Sequence, residues 1–205
     1  PDVDHSATDV PEYICREGVQ FAVADAKALP FSANYFDGVF SVAVFEHIND
    51  LGVALSEVRR VLKPGGICFA EFGPIWPCSI GHHVYAKVGN QEARHWTPEL
   101  NPVPDYAHLL LDKQEMRQAL RARVSVPLGD AALSWIYDEP YINRMFFEEY
   151  EAAFASSGLS VEALSLTTEH VPRSTLRLLR ARYPNRTRFD VRTVEVLLRK
   201  PNIAN

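Results

Sequence analysis

Two apolar runs in the first third of the chain predict its first strands. An apolar run at residues 19–24 ends at Asp25, and a longer run covers residues 36–45. Continuous runs of this length are typical of strands that are buried on both faces of a parallel sheet. Between them, residues 30–34 contain a proline and an asparagine that favour a turn.

A helical pattern follows at Asn49 and Asp50, either of which suits the N-cap position. The apolar residues that repeat at helical spacing are Leu51, Leu55, Val58 and Leu62. A Pro-Gly-Gly sequence at residues 64–66 would end the helix, and residues 67–72 form a third apolar run. Strand, helix, glycine turn and strand together predict a βαβ unit with a right-handed crossover.

The regular pattern stops at residues 73–110, which are rich in proline, histidine and aromatic residues. A connection this long inside a compact domain usually has a function.

Regular patterns return after residue 110. Asp112 and Glu115 predict a capping box with Met116 and Leu120 on the apolar face of its helix, and a second amphipathic helix is predicted at residues 144–157.

The last third predicts a strand at residues 159–166, a basic helix at 174–182 and a strand at 191–199. The two strands are expected to pair as an antiparallel edge. The fold class predicted is α/β: a Rossmann-like, mostly parallel sheet with helices on both faces and an antiparallel C-terminal edge strand. Residues 1–205 would be one domain, with a partial cofactor-binding core at 1–72, an insert that forms an acceptor loop at 73–110, and helices and C-terminal strands at 111–205.

Composition narrows the functional classes. The chain has 205 residues and a formal net charge of −5, and no apolar run approaches the ~20 residues that cross a bilayer. We therefore expect no membrane span and no general role in nucleic-acid binding, which requires a basic surface. The three cysteines have no metal-ligand spacing and favour the reducing cytoplasm. The sequence gives no indication of the oligomeric state.

Four segments in the first third of the chain carry a recognisable motif. They are VADAKALPF at residues 23–31, FDGVFS at 36–41, FEHI at 45–48 and EVRRVLKPGG at 57–66. In this order they resemble the class I S-adenosylmethionine-dependent methyltransferases, in particular the methyltransferase type 11-like subgroup with Asp-Ala-x-x-Leu-Pro-Phe before a Phe-Asp-x-Val strand. The resemblance covers residues 19–72, and the rest of the chain is matched only by its compatible order of elements.

The resemblance implies a binding site for S-adenosylmethionine. The carboxylate of Asp25 and the backbone N–H of Ala26 would read the adenine, and Ser41, Val42 and Phe45 would pass beneath the cofactor. The other interpretation of Asp25 is that it only caps a turn. The glycine-rich loop that opens such enzymes does not occur in the sequence. We therefore expect the fold to be N-terminally incomplete, and a remnant that cannot hold the cofactor alone is the alternative.

Four residues are candidates for catalysis: His47, Glu46, His82 and His83. His47 could remove a proton from the acceptor or could only pack near the cofactor, and Glu46 could act similarly or be a solvated or capping carboxylate. In the insert, His82, His83, His95 and Trp96 are candidates for contact with the acceptor, with Tyr141 and Asn143 next. A zinc site and plain loop packing are the alternatives for these histidines.

The function predicted is S-adenosylmethionine-dependent methyl transfer to an oxygen or nitrogen of a small polar molecule or sugar. The alternative is a non-catalytic methyltransferase-like binding module or partner subunit. A nicotinamide-dependent oxidoreductase on a similar sheet is disfavoured because the Gly-x-Gly-x-x-Gly fingerprint does not occur.

Overall fold

A computed structural model describes residues 14–16 and 18–202. The first part of the region predicted as a cofactor-binding core, residues 1–13, therefore lies outside the described residues. The strands are β1 Ile14–Arg16, β2 Val19–Phe21, β3 Phe36–Val42, β4 Leu62–Phe72, β5 Tyr85–Val88, β6 Gln91–Arg94, β7 Ser160–Thr168 and β8 Val191–Arg199. The helices are α1 Leu51–Val61, α2 Ala107–Leu110, α3 Lys113–Arg121, α4 Val126–Tyr137, α5 Phe147–Ser156 and α6 Arg173–Arg182, with short 3-10 helices at Phe45–His47 and Pro98–Leu100.

The central sheet has the strand order β3-β4-β8-β7. Strands β3 and β4 are parallel, whereas β8 is antiparallel to both of its neighbours, so three strands share one direction. This confirms the α/β class and the antiparallel C-terminal strand. The predicted edge position is corrected: β8 lies inside the sheet and β7 takes the edge, because an interior position buries the alternating Val194, Val196 and Leu198.

The βαβ unit formed by β3, α1 and β4 matches the prediction closely. Helix α1 buries Leu51, Leu55 and Val58 against the sheet, and α5 packs on the same face. The helix ends at Val61 and β4 begins at Leu62, earlier than the Pro-Gly-Gly sequence suggested. The opposite face of β3 and β4 exposes Phe40, Val42 and Ile67.

The first apolar run behaves differently from the prediction. Residues 19–21 pair with residues 14–16 in a separate antiparallel hairpin, with Gly18 at a positive φ of 81° in the turn. Val19, Phe21 and Val23 are exposed, so the buried parallel strand expected at 19–24 is not observed. Local pairing across a tight turn replaced long-range pairing here.

The insert contains more regular structure than expected. Strands β5 and β6 form a hairpin that packs on α4, and α2 follows. Two glycines allow the insert to fold closely: a Cβ on Gly73 would lie 2.4 Å from the Arg192 carbonyl oxygen, and one on Gly81 would lie 2.3 Å from that of Trp76. Together with α3, α4 and α6, the insert builds a second apolar core beside the sheet.

The other predicted helices are present. The capping box of Asp112 and Glu115 begins α3, and Gly158, at a φ of 71°, follows α5. Helix α4 was not predicted, although it buries Leu128 and Ile136. No helix in the described ranges is long and apolar enough to span a bilayer.

Candidate active site at the carboxyl end of the sheet

A tight turn at the carboxyl end of β3 presents the first candidate residues. Ala43 has a left-handed φ of 52°, and its N–H donates to the carbonyl oxygen of Glu71 on β4 at 2.8 Å. The chain then enters the 3-10 helix at Phe45–His47. In parallel sheets ligands bind at this edge, so the turn places Glu46 and His47 where chemistry is expected.

Glu46 is completely buried between this turn and the end of β4. Its Oε1 accepts a hydrogen bond from the N–H of Gly73 at 2.9 Å, whereas its Oε2 has no partner among the described residues. Burial raises the pKa of the carboxyl group, and the Gly73 hydrogen bond partly opposes that shift. Glu46 is therefore a buried carboxyl that links the turn after β3 to the end of β4. The interpretation of Glu46 as a solvated carboxylate is wrong.

His47 is exposed, and its ring is held in one orientation. Its Nδ1 lies within hydrogen-bonding distance of the backbone carbonyl oxygen of Tyr141. A carbonyl oxygen can only accept, so Nδ1 carries the proton and Nε2 of the neutral ring keeps its lone pair. His47 can therefore accept a proton at Nε2.

Asn143 anchors the turn that carries both residues. Its backbone N–H donates to the carbonyl oxygen of Glu46 at 2.9 Å, and its Nδ2 donates to that of Phe45 at 2.8 Å. The hydroxyl of Tyr150 donates to Oδ1 of Asn143 at 2.9 Å. The sequence singled out Asn143 as a secondary candidate for the acceptor, but it did not indicate Tyr150, whose apolar spacing on α5 predicts only a core residue.

The histidines of the insert lie next to one another behind His47. The ring of His83 lies 5.1 Å from that of His47 and 4.7 Å from that of His95, measured between centroids. Nε2 of His83 donates to the carbonyl oxygen of Pro74 at 2.5 Å. Burial lowers the pKa of His83 to about 3 and that of His95 to about 4, so both rings are neutral at neutral pH.

His82 lies deeper than the sequence suggested. The residue is fully buried, its Nδ1 accepts from the N–H of Val84 at 3.1 Å, and its ring packs 5.4 Å from that of His108. Because its side chain is buried, His82 has no access to an acceptor at the surface. His108, which the sequence did not single out, is buried and donates from Nε2 to the carbonyl oxygen of Trp76 at 2.8 Å.

Metal binding was one interpretation of these histidines. Across the described ranges, no group of three or more histidine, cysteine, aspartate or glutamate side chains has an arrangement that could hold a metal ion.

The predicted cofactor residues occupy two places. Asp25 lies in a turn before β3, where its Oδ1 accepts from the N–H of Lys27 at 2.9 Å. Its side chain is 60% exposed, so the carboxylate caps the turn and keeps further capacity for a donor such as the amino group of adenine. The contact of Asp25 and Ala26 with an adenine stays a prediction.

The other three predicted cofactor residues lie on or just after β3. Ser41 is partly buried on the face that the helices cover, and Val42 is exposed on the opposite face. The ring of Phe45 packs in the core, 5.5 Å from that of Phe72. Any contact of Phe45 with a cofactor would therefore involve its backbone.

A family model and several curated relatives each match part of the chain. The family model described as a methyltransferase domain matches residues 2–70. A ubiquinone/menaquinone biosynthesis C-methyltransferase (UbiE) of Cupriavidus taiwanensis is 34% identical over 91 residues, which are 38% of this chain and 37% of that protein. The Chromobacterium violaceum protein of the same name is 46% identical over 74 residues, 34% of this chain and 30% of that protein. The chain thus spans about a third of the length of these curated relatives.

Solved structures match a larger share of the chain at lower identity. The [4+2]-cyclase SpnF is 13% identical with a TM-score of 0.45, over 89% of this chain and 56% of that one. An S-adenosylmethionine-dependent methyltransferase from Mesorhizobium loti is 16% identical with a TM-score of 0.44, over 86% of this chain and 67% of that one.

The family match at residues 2–70 covers Asp25, β3, the turn with Glu46 and His47, and most of β4. Over these residues, the chain is similar to the methyltransferase domain family.

Proposed function

We propose that the protein transfers a methyl group from S-adenosylmethionine to an oxygen or nitrogen of a small polar molecule or sugar that binds beside His47. The observation that carries the proposal is the exposed His47 ring at the carboxyl end of β3, with its Nδ1 bonded to the Tyr141 carbonyl oxygen. S-adenosylmethionine is the cofactor of the family, and Asp25 and Ala26 are the residues proposed to hold its adenine.

The residues around His47 support a role in proton removal. When bound, S-adenosylmethionine supplies a methyl group on a positively charged sulfur. Held at Asp25 and Ala26, the cofactor would supply this methyl group to the lone pair of the acceptor, and the electrons of the broken carbon–sulfur bond would stay on sulfur. Nε2 of His47 accepts the proton of the acceptor O–H or N–H. General-base catalysis requires that this proton lie within hydrogen-bond distance of Nε2.

Glu46 and His83 are proposed to support His47 in different ways. The buried carboxyl of Glu46 accepts a hydrogen bond from the N–H of Gly73. This bond holds the turn in place and so positions His47 at the edge of the sheet. The neutral ring of His83 packs edge to face against that of His47. An uncharged neighbour does not repel the proton that His47 accepts.

Two other functions remain as alternatives. The relatives named as C-methyltransferases favour a carbon acceptor, in which case His47 would remove a proton from carbon or from an acidic group attached to it. A non-catalytic methyltransferase-like module is the second alternative. The atom that becomes methylated distinguishes a carbon acceptor from an oxygen or nitrogen acceptor. Cofactor binding together with turnover distinguishes an enzyme from a non-catalytic module.

The test compares His47→Gln with His170→Gln, a matched substitution of an exposed histidine before α6. Calorimetry with S-adenosylhomocysteine measures cofactor binding, and transfer of isotope-labelled methyl groups to pools of alcohols, amines, sugars and phenols measures activity. We expect His47→Gln to keep cofactor affinity and to lower turnover by about 10²- to 10⁴-fold, the range of general-base catalysis. Normal turnover in His47→Gln would remove His47 from the mechanism, and methylation at carbon would establish the carbon acceptor.

A further inference from the structure

A continuous series of rings begins at the exposed side of the β5–β6 hairpin and reaches His47. The rings of Tyr85 and Trp96 stack at 5.7 Å between centroids, and Trp96 packs against His95 at 4.8 Å. His95 stacks on His83 at 4.7 Å, and His83 contacts His47 at 5.1 Å. The exposed hairpin surface is therefore joined to the candidate base by direct ring contacts.

A second series returns from His47 to the same hairpin. His47 donates to the carbonyl oxygen of Tyr141, whose ring stacks on that of Trp135 at 4.2 Å. Trp135, on α4, then contacts Tyr85 edge to face at 6.4 Å. The two series close into one aromatic circuit of seven residues: Tyr85, Trp96, His95, His83, His47, Tyr141 and Trp135.

Large rings in the circuit remain exposed although the described residues form two apolar cores. Trp96 is 53% exposed, Tyr141 49% and Tyr85 44%. Tyr85 is exposed because Ala86 takes the inward position next to it on β5, whereas Trp96 and Tyr141 lie outside the two hairpin strands. Exposed aromatic residues that are grouped and held by packing are typical of binding surfaces.

Two polar atoms of the circuit are also unsatisfied. The indole N–H of Trp135 and Nδ1 of His95 are buried without a hydrogen-bond partner among the described residues. Each of these two atoms keeps an unused hydrogen-bonding capacity that a bound molecule or a buried water can satisfy.

We propose that the aromatic circuit is the binding surface of the methyl acceptor, and that the acceptor carries a ring with a flat apolar face. The proposal rests on the proposed function, since it adds the ring class of the acceptor at the same site. Tyr85, Trp96 and Tyr141 supply the stacking surface, and His47 lies at the inner end, where the acceptor's polar group would meet it. Both an aromatic ring and the C–H face of a sugar have this chemistry.

The test uses the indole N–H signals in nuclear magnetic resonance spectra of the 15N-labelled protein. The probes are 2-naphthol for an aromatic ring and methyl β-glucopyranoside for a sugar, each titrated at millimolar concentration. We expect the indole signals of Trp96 and Trp135 to shift with one of the probes while that of the buried Trp76 stays in place. The probe that produces the shifts identifies the ring class.

Matched variants distinguish the surface from a general effect. Trp96→Ala and Tyr141→Ala should weaken probe binding about tenfold, the loss of one aromatic stacking contact, whereas Trp96→Phe should keep most of it. Tyr35→Ala, which removes a similarly exposed tyrosine near the amino end of β3, should have no effect. Tyr141→Ala keeps the carbonyl oxygen that orients His47.

Several outcomes would overturn the inference. They are the absence of shifts with both probes, equal shifts of Trp76, or shifts that occur with phosphatidylcholine vesicles and not with the ring probes. Calorimetry with S-adenosylhomocysteine on the same samples separates the two proposals. Probe binding without cofactor binding would reject the methyltransferase function and support the ring-binding surface. Cofactor binding without probe binding would support the methyltransferase function and reject the ring-binding surface.

Discussion

Nδ1 of His47 and the backbone carbonyl oxygen of Tyr141 are hydrogen-bonding partners although they lie 94 residues apart in the chain. This contact joins the turn after β3 to the segment before α5, and it selects the tautomer in which Nε2 can accept a proton. The segment 141–143 thus orients the candidate base, and it does so through backbone atoms that no side-chain pattern reveals.

Asn143 is expected to matter for activity as well as stability. Asn143→Ala removes the partner of Tyr150 and the Nδ2 bond to Phe45, so we expect a loss of about 1–3 kcal/mol in the free energy of unfolding. Tyr150→Phe removes one hydrogen bond and should cost about 0.5–1.5 kcal/mol. Urea denaturation measures both changes.

The activity of the same variants separates orientation from stability. At a temperature where both variants are fully folded, Asn143→Ala should lower turnover more than Tyr150→Phe does, because it also releases the turn that carries His47. Equal turnover in the two folded variants would show that Asn143 supports the fold alone.

The histidines behind the site predict a loss of stability in acid. Burial lowers the pKa of His83 to about 3 and the pKa values of His95 and His108 to about 4, and it lowers that of His82 well below the ordinary 6.5. The unfolded chain therefore binds more protons than the folded one below about pH 6.5, and stability falls from there toward about pH 4.

Denaturation at about pH 7.5 and about pH 5 measures this effect, with each buried histidine contributing up to about 1.4 kcal/mol per pH unit. His108→Gln should reduce the slope, whereas His170→Gln, at an exposed site, should leave it unchanged. A folded state equally stable at both pH values would contradict the neutral, buried state of these rings.

Glu46 is expected to change stability with pH in the opposite direction to the buried histidines. Its pKa is raised in the folded state, so the folded protein binds this proton more readily, and the ionised carboxyl costs stability above its ordinary pKa of 4.5. Glu46→Gln keeps an acceptor for the Gly73 N–H and removes this cost, so stability at neutral pH should be equal or higher. A clear loss of stability at neutral pH would mean that the charge of Glu46 is compensated by a partner.

The sequence predicted best where local signals agreed. Leu51, Leu55 and Val58 marked α1, and the Asp112 and Glu115 capping box marked α3, because both depend on neighbouring residues. Helix α4 was missed because Pro127 and Gly129 interrupt its first turns, although Pro is tolerated there. The interior position of β8 depends on pairing with β4 and β7, which residue patterns do not specify.

The sequence indicated members of the candidate site but not their arrangement. The motif at residues 45–48 indicated Glu46 and His47, and the insert indicated His83. The burial of His82, the role of Tyr150 and the closure of the aromatic circuit depend on contacts between distant segments. Such contacts follow from packing rather than from sequence spacing.

Binding of S-adenosylhomocysteine tests the central claim most directly. Calorimetry of the whole protein should show saturable binding at one site, and Asp25→Ala should weaken it about ten- to hundredfold, the loss of a charged hydrogen bond. Asp37→Ala, which removes an exposed carboxylate on β3 that pairs with Lys63, serves as the control and should bind normally. Saturable binding that Asp25→Ala weakens and Asp37→Ala does not is the predicted result, and no binding to the wild-type protein would contradict the account.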